Sequence, residues 1–97
     1  MSISHWYITV AAVRQYMRIC GYEGDSDGPV FDAAAIELER LCEQSRLAKD
    51  AGPHSPNQQW RVRANVRGKN TRLELIVAPD PRPEGDLPQL IAVRNKG

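Results

Sequence analysis

Five basic side chains fall close together in the second half of the chain: Arg61, Arg63, Arg67, Lys69 and Arg72. A guanidinium donates two parallel hydrogen bonds from a rigid planar fork, which matches phosphate and carboxylate, and a lysine adds a point charge. The chemistry open to this row is therefore anion recognition, of nucleic-acid phosphates or of an acidic protein. The same residues also suit an ordinary solvated strand face, where arginine stems cover apolar surface.

Other chemistries find little support. Acyl transfer needs a nucleophile, a base and an orienting group that converge. Neither Cys20 nor Cys42 lies near a histidine in sequence, and GxSxG and a glycine-rich phosphate loop are both missing. His5 and His54 complete no zinc set with the cysteines at a standard spacing, so no metal and no cofactor is expected. Asp25 and Asp27 invite a calcium loop, but counting from Asp25 the glycine comes too early, and Ile36 stands where a bidentate glutamate belongs. Glu39 and Glu43 read as a solvated helix face.

The elements that must position the row follow from periodicity. Trp6, Tyr7 and Ile8 suggest a short edge strand or a lead-in, and Thr9 is a helix N-cap. Val10, Val13, Met17 and Cys20 form one helical stripe, and Gly21 ends the helix as the residue that tolerates a left-handed conformation. A second helix is expected from an Asp32 N-cap, with Phe31 stapled onto Ile36, to about Lys49. Its buried stripe is Ala34, Leu38, Leu41, Ser45 and Ala48, while Glu37, Glu39, Glu43 and Arg46 point elsewhere, and Gly52-Pro53 stops it.

From Trp60 onward, Trp60, Val62, Ala64 and Val66 alternate with Arg61, Arg63, Asn65 and Arg67, the period of a half-buried strand. Thr71, Leu73, Leu75 and Val77 alternate likewise. A two-residue Gly68–Lys69 turn of type II′ joins them and pairs Val66 with Thr71, Val62 with Leu75, and Arg63 with Glu74. That register gathers Arg61, Arg63, Arg67 and Arg72 on one face, with Lys69 at the tip. After a proline-rich excursion (Pro79, Pro81, Pro83, Pro88), Gln89 to Arg94 reads as a third strand. Trp60 is expected in the core, with Trp6 capping it. The expected fold is α+β: two helices on one face of a three-stranded antiparallel sheet, with room for a short N-terminal edge strand.

Composition agrees with one folded domain over residues 1–97. Apolar residues make up 41% and charged residues 26% of the chain, which is ordinary globular usage. No apolar run reaches the ~18 residues of a membrane span. The start lacks the basic residues and cleavage site of a signal peptide. Two cysteines on apolar helix faces suit a reducing cytoplasm. Net charge is +1, yet residues 1–57 carry five basic and eight acidic side chains, while residues 58–97 carry eight and four. An acidic helical half beside a basic sheet explains this, as does a sheet that faces phosphates.

Thr9-Val10-Ala11-Ala12-Val13 with Tyr16, the helix AAAIELERLCEQSRLAK and the three strands together resemble a small family related to the RelE and BrnT toxins. The resemblance covers most of the chain in the order of elements and about a dozen positions in residue type. It implies a RelE-like fold, two helices on an antiparallel sheet, whose active members are ribonucleases working from the sheet face. The family's histidine position is Ala11 here, its following arginine falls at Gln15, and Arg14 and Arg18 are displaced by one step.

Taken together, the expectation is a cytoplasmic bacterial or phage domain that binds RNA or an acidic nucleic-acid-handling protein through Arg61, Arg63, Arg67, Lys69 and Arg72. Two alternatives stand beside it. One is a toxin-like endoribonuclease, and the other is an inhibitory or structural protein-interaction module. An exposed edge strand would also permit a homodimer.

Overall fold

The computed structural model describes residues 6–24, 28–48, 57–79 and 88–97. Two helices, α1 (Val10–Cys20) and α2 (Pro29–Gln44), cover one face of a sheet. The strands are β1 (Tyr7–Ile8), β2 (Arg46–Leu47), β3 (Gln58–Val66), β4 (Lys69–Ala78) and β5 (Gln89–Asn95), in the spatial order β1-β5-β4-β3-β2. The class is α+β, and the three long strands form the expected meander. The sheet is five-stranded and mixed, however, because β1 pairs in parallel with β5 and β2 adds to β3. Both additions are two-residue strands, too short to show a period in the sequence.

α1 is capped as its sequence dictates. Thr9 Oγ1 accepts the Ala12 N–H at 3.3 Å and donates to the Leu90 carbonyl at 2.8 Å, which ties the helix start to β5. At the other end Gly21 takes φ 76, its N–H reaching the Arg18 carbonyl while that of Tyr22 reaches Met17. The buried face consists of two i, i+4 pairs, Ala12/Tyr16 and Val13/Met17, while Val10 is exposed.

α2 departs from expectation at both ends. It starts one turn early, at Pro29 behind a Gly28 N-cap, because proline's fixed φ suits the first helical position. Asp32 is therefore a first-turn acid, and Ile36 is exposed instead of stapled to Phe31. The helix stops at Gln44 because Ser45 turns extended and donates both its hydroxyl (2.6 Å) and its N–H (3.2 Å) to the Cys42 carbonyl. Arg46 and Leu47 are thereby released from the helix to join β3. Gly52-Pro53, the expected terminator, lies outside the described residues, as do His5, His54, Asp25, Asp27, Pro81 and Pro83.

The core lies between helices and sheet, with Leu38, Cys42, Leu73, Leu75, Val77 and Leu90 fully enclosed. Trp6 meets Trp60 edge-on at 5.2 Å and closes one end, so these rings are packing groups. On β5, Leu90 and Val93 both face the core although they are three apart. A bulge opposite Ile76/Val77 inserts Ile91 between them and restores the alternation.

The β3–β4 hairpin turns at Arg67–Gly68 and not at Gly68–Lys69. Val66 pairs with Lys69, Ala64 with Thr71 and Val62 with Leu73. Arg67 (φ 53) and Gly68 (φ 80) are both left-handed, the signature of a type I′ turn, whose twist matches that of the strands. The observed register differs from the expected one by two residues, so the side chains of 60–66 and 71–77 keep their faces while their partners change.

Candidate nucleic-acid interface

On the face opposite the helices the ladder aligns one residue from each of four strands: Arg46, Arg61, Glu74 and Arg94. The neighbouring row sets Arg63 opposite Arg72, and the Arg72 carbonyl accepts the Lys96 N–H at 2.8 Å. Three arginines that the sequence places on this face are thus brought together: Arg61, Arg63 and Arg72.

Glu74 organises the centre. It is only 3% exposed, with Arg94 Nη1 at 4.0 Å and Lys96 Nζ at 3.9 Å, and Arg61 is its cross-strand partner. The expected partner was Arg63, and the two-residue shift in register gives Arg63 a like charge instead. A two-residue loop makes Val66 and Lys69 the hydrogen-bonded pair that closes the hairpin. By alternation Arg63/Arg72 and Arg61/Glu74 are then non-hydrogen-bonded pairs, the kind with closer side chains. Arg46 and Arg61 form a second like-charged pair.

Two expected members leave the face. Arg67 sits in the turn and folds toward α1, its Nη2 donating to the Arg18 carbonyl at 3.4 Å. It lies over Gly21 so closely that a Cβ there would come within 2.9 Å of Nη2. Lys69 has the same parity as Thr71 and Leu73, so it points to the helix side at the exposed hairpin tip. Arg46, Arg94 and Lys96 take their places. Arg46 was hidden in an apparently continuous helix and Arg94 behind the β5 bulge. Basic residues at strand parity near a helix end were the one signal that would have found Arg46.

The arginine rows border a groove of about 470 Å³ lined by Gln44, Arg46, Arg61, Val62, Arg63 and Arg72. It opens where β2 begins, beside the edge of β3.

Elsewhere the reactive side chains are quiet. Burial pushes the Cys42 thiol up to about 12 and raises Cys20, so both remain protonated thiols near neutrality. The phenols of Tyr16 and Tyr22 both donate to Glu37 Oε1, at 3.5 and 3.2 Å, and burial raises both above the ordinary tyrosine value. Among the described residues no three His, Cys, Asp or Glu side chains gather as metal ligands, and no helix is long and apolar enough to cross a membrane.

Gln15, where the resemblance expects arginine, has a structural task. Its Oε1 accepts the Val93 N–H at 2.8 Å and so satisfies the edge of β5 beyond the point where β1 stops. Arginine has no acceptor and cannot replace it there. No family model, curated protein or solved structure matches this chain.

Proposed function

We propose that the sheet face opposite the helices binds RNA through its phosphates, with Arg46, Arg61, Arg63, Arg72, Arg94 and Lys96 as the contacting cations. The observation that carries this reading is the pairing of like charges, Arg63 with Arg72. Like charges directly opposite one another destabilise a sheet. A bound phosphate between them removes the repulsion and takes up bidentate hydrogen bonds. Glu74 holds Arg94 and Lys96 at the margin and leaves the Arg63/Arg72 end the more positive. Among the described residues Trp6 and Trp60 pack on each other and against the core and offer these rows no stacking surface, so the recognition proposed is of backbone and tolerant of sequence.

The reading is one of binding. Glu74, the single carboxylate in these rows, is nearly enclosed and engaged with two cations, a poor position for a general base. Fluorescence anisotropy with a short single-stranded RNA tests the proposal. Arg63→Ala with Arg72→Ala weakens binding at least tenfold, whereas Lys69→Ala leaves it within twofold. Equal losses in both proteins, or none in either, would refute the assignment of the face.

A further inference from the structure

The two edges of the sheet are finished differently. On the β5 side outward backbone groups are satisfied, with Tyr7 N–H donating to the Pro88 carbonyl, Thr9 N–H and Oγ1 to the Leu90 carbonyl, and Val93 N–H to Gln15 Oε1. On the β3 side β2 pairs only Arg46 with Arg61 and Leu47 with Trp60, and Ala48 donates to Gln59. The chain before Arg46 is the end of α2, so no described strand continues beside Val62–Val66. Residues 62, 64 and 66 direct their backbone toward β4, which leaves the N–H and C=O of Arg63 and Asn65 pointing off the edge. An edge of this kind is a template for an added strand.

We infer that this edge accepts an extended segment of a protein partner in which acidic and uncharged side chains alternate. The grooves on either side define the alternation. Toward the open face an incoming side chain meets Arg46, Arg61, Arg63 and Arg72, in a groove of about 470 Å³ that suits a carboxylate. Toward the helices it meets a mixed lining, Tyr16, Leu41 and Ala64 beside the polar Glu37, Arg40 and Gln44, in a groove of about 330 Å³. Glu37 in that groove already accepts two phenols. Successive residues of a strand point to opposite faces, so one extended segment presents acids to the first groove and, to the second, uncharged side chains that set no like charge against Glu37. A second copy of this edge fits poorly, since it would bring the Arg61 and Arg63 of both chains onto one face. Arginines on an edge commonly oppose such self-pairing.

This inference does not rest on RNA binding, and its test separates the two. The probe is a labelled octapeptide alternating glutamate and valine. Controls are a peptide of the same composition with its glutamates in one block, and the alternating peptide N-methylated on every second amide in each of the two phases. Binding of the alternating peptide slows amide hydrogen exchange at Arg63 and Asn65 at least tenfold, and N-methylation in one phase abolishes binding. Asn65→Pro removes only an outward N–H, so it weakens the peptide at least tenfold and keeps RNA affinity within twofold. If that variant fails to fold, the methylated peptides on the wild-type protein decide. Equal binding of the blocked and alternating peptides without protection at Arg63 and Asn65 overturns the inference. Protection of those amides in peptide-free protein that grows with its concentration also overturns it, in favour of a second copy.

Discussion

Arg63 on β3 stands directly across from Arg72 on β4, like charge against like charge in the middle of a hairpin. A register two residues away would have given Arg63 a glutamate, so the repulsion is a consequence of the turn that the chain adopts. Replacing one member by the opposite charge should separate stability from function. Arg72→Glu is expected to raise stability by about 0.5 kcal/mol, within the range for cross-strand pairs, and to weaken RNA binding at least tenfold. Urea midpoints and anisotropy on the same preparation check both halves.

The turn makes its own prediction. Arg67 holds a left-handed conformation that costs a non-glycine residue roughly 1 kcal/mol, and Asn-Gly is the preferred type I′ pair. Against this stands an exposed 3.4 Å contact with the Arg18 carbonyl. Arg67→Asn should leave the protein as stable or up to about 1 kcal/mol more stable, with RNA affinity unchanged because Arg67 lies off the proposed binding face. Thermal melts and anisotropy decide.

Gln15 stands where the expected resemblance to RelE-related toxins would place an arginine. Placing arginine there removes the acceptor for the Val93 N–H, and an unsatisfied backbone donor costs about 1–3 kcal/mol. Gln15→Arg is expected to lose stability of that order, most visibly as faster exchange of the Val93 amide. It is also expected to leave RNA uncleaved, since the role lost is structural.

Alkaline pH should destabilise the fold. Burial raises Cys42 from an ordinary value of 9.0 to about 12 and raises Tyr16 and Tyr22 from 10.0. The folded state therefore holds these protons more tightly than the unfolded state. The contribution of the buried Cys42 and Tyr16 is complete below about pH 9 and is lost as pH rises toward the folded values, at up to about 1.4 kcal/mol per pH unit per group, while the exposed Tyr22 adds little. Unfolding followed from pH 8 to 11 should show this fall, and Cys42→Ala should lessen it. At pH 8 Cys42 should resist alkylation.

The sequence disclosed what depends on local period and capping. Thr9 and Gly21 bound α1, and the alternation from Trp60 to Val77 gives both the strands and their buried faces. It could not fix the hairpin register, because Gly68 serves equally as the first residue of a type II′ turn or the second of a type I′ turn. Both registers bury the same side chains, so the hydrophobic pattern does not arbitrate. Arg46 was missed because helical spacing ran on through Ser45, where a single hydroxyl bond to Cys42 ends the helix. Arg94 and Lys96 were missed because the face of β5 depends on a bulge set by its partner strand. The site is thus half legible: its β3 and β4 members follow from parity, and its edge members follow only from tertiary pairing.

The salt dependence of RNA binding tests the central claim most directly. Phosphate contacts release counterions, and for single strands the slope of log K against log salt is about −0.7 per contact. The wild-type protein should show a steep negative slope. Arg63→Ala and Arg72→Ala should each reduce it by about 0.7, while Lys69→Ala should not change it. A flat response in the wild-type protein, or a slope indifferent to Arg63 and Arg72, would contradict the account.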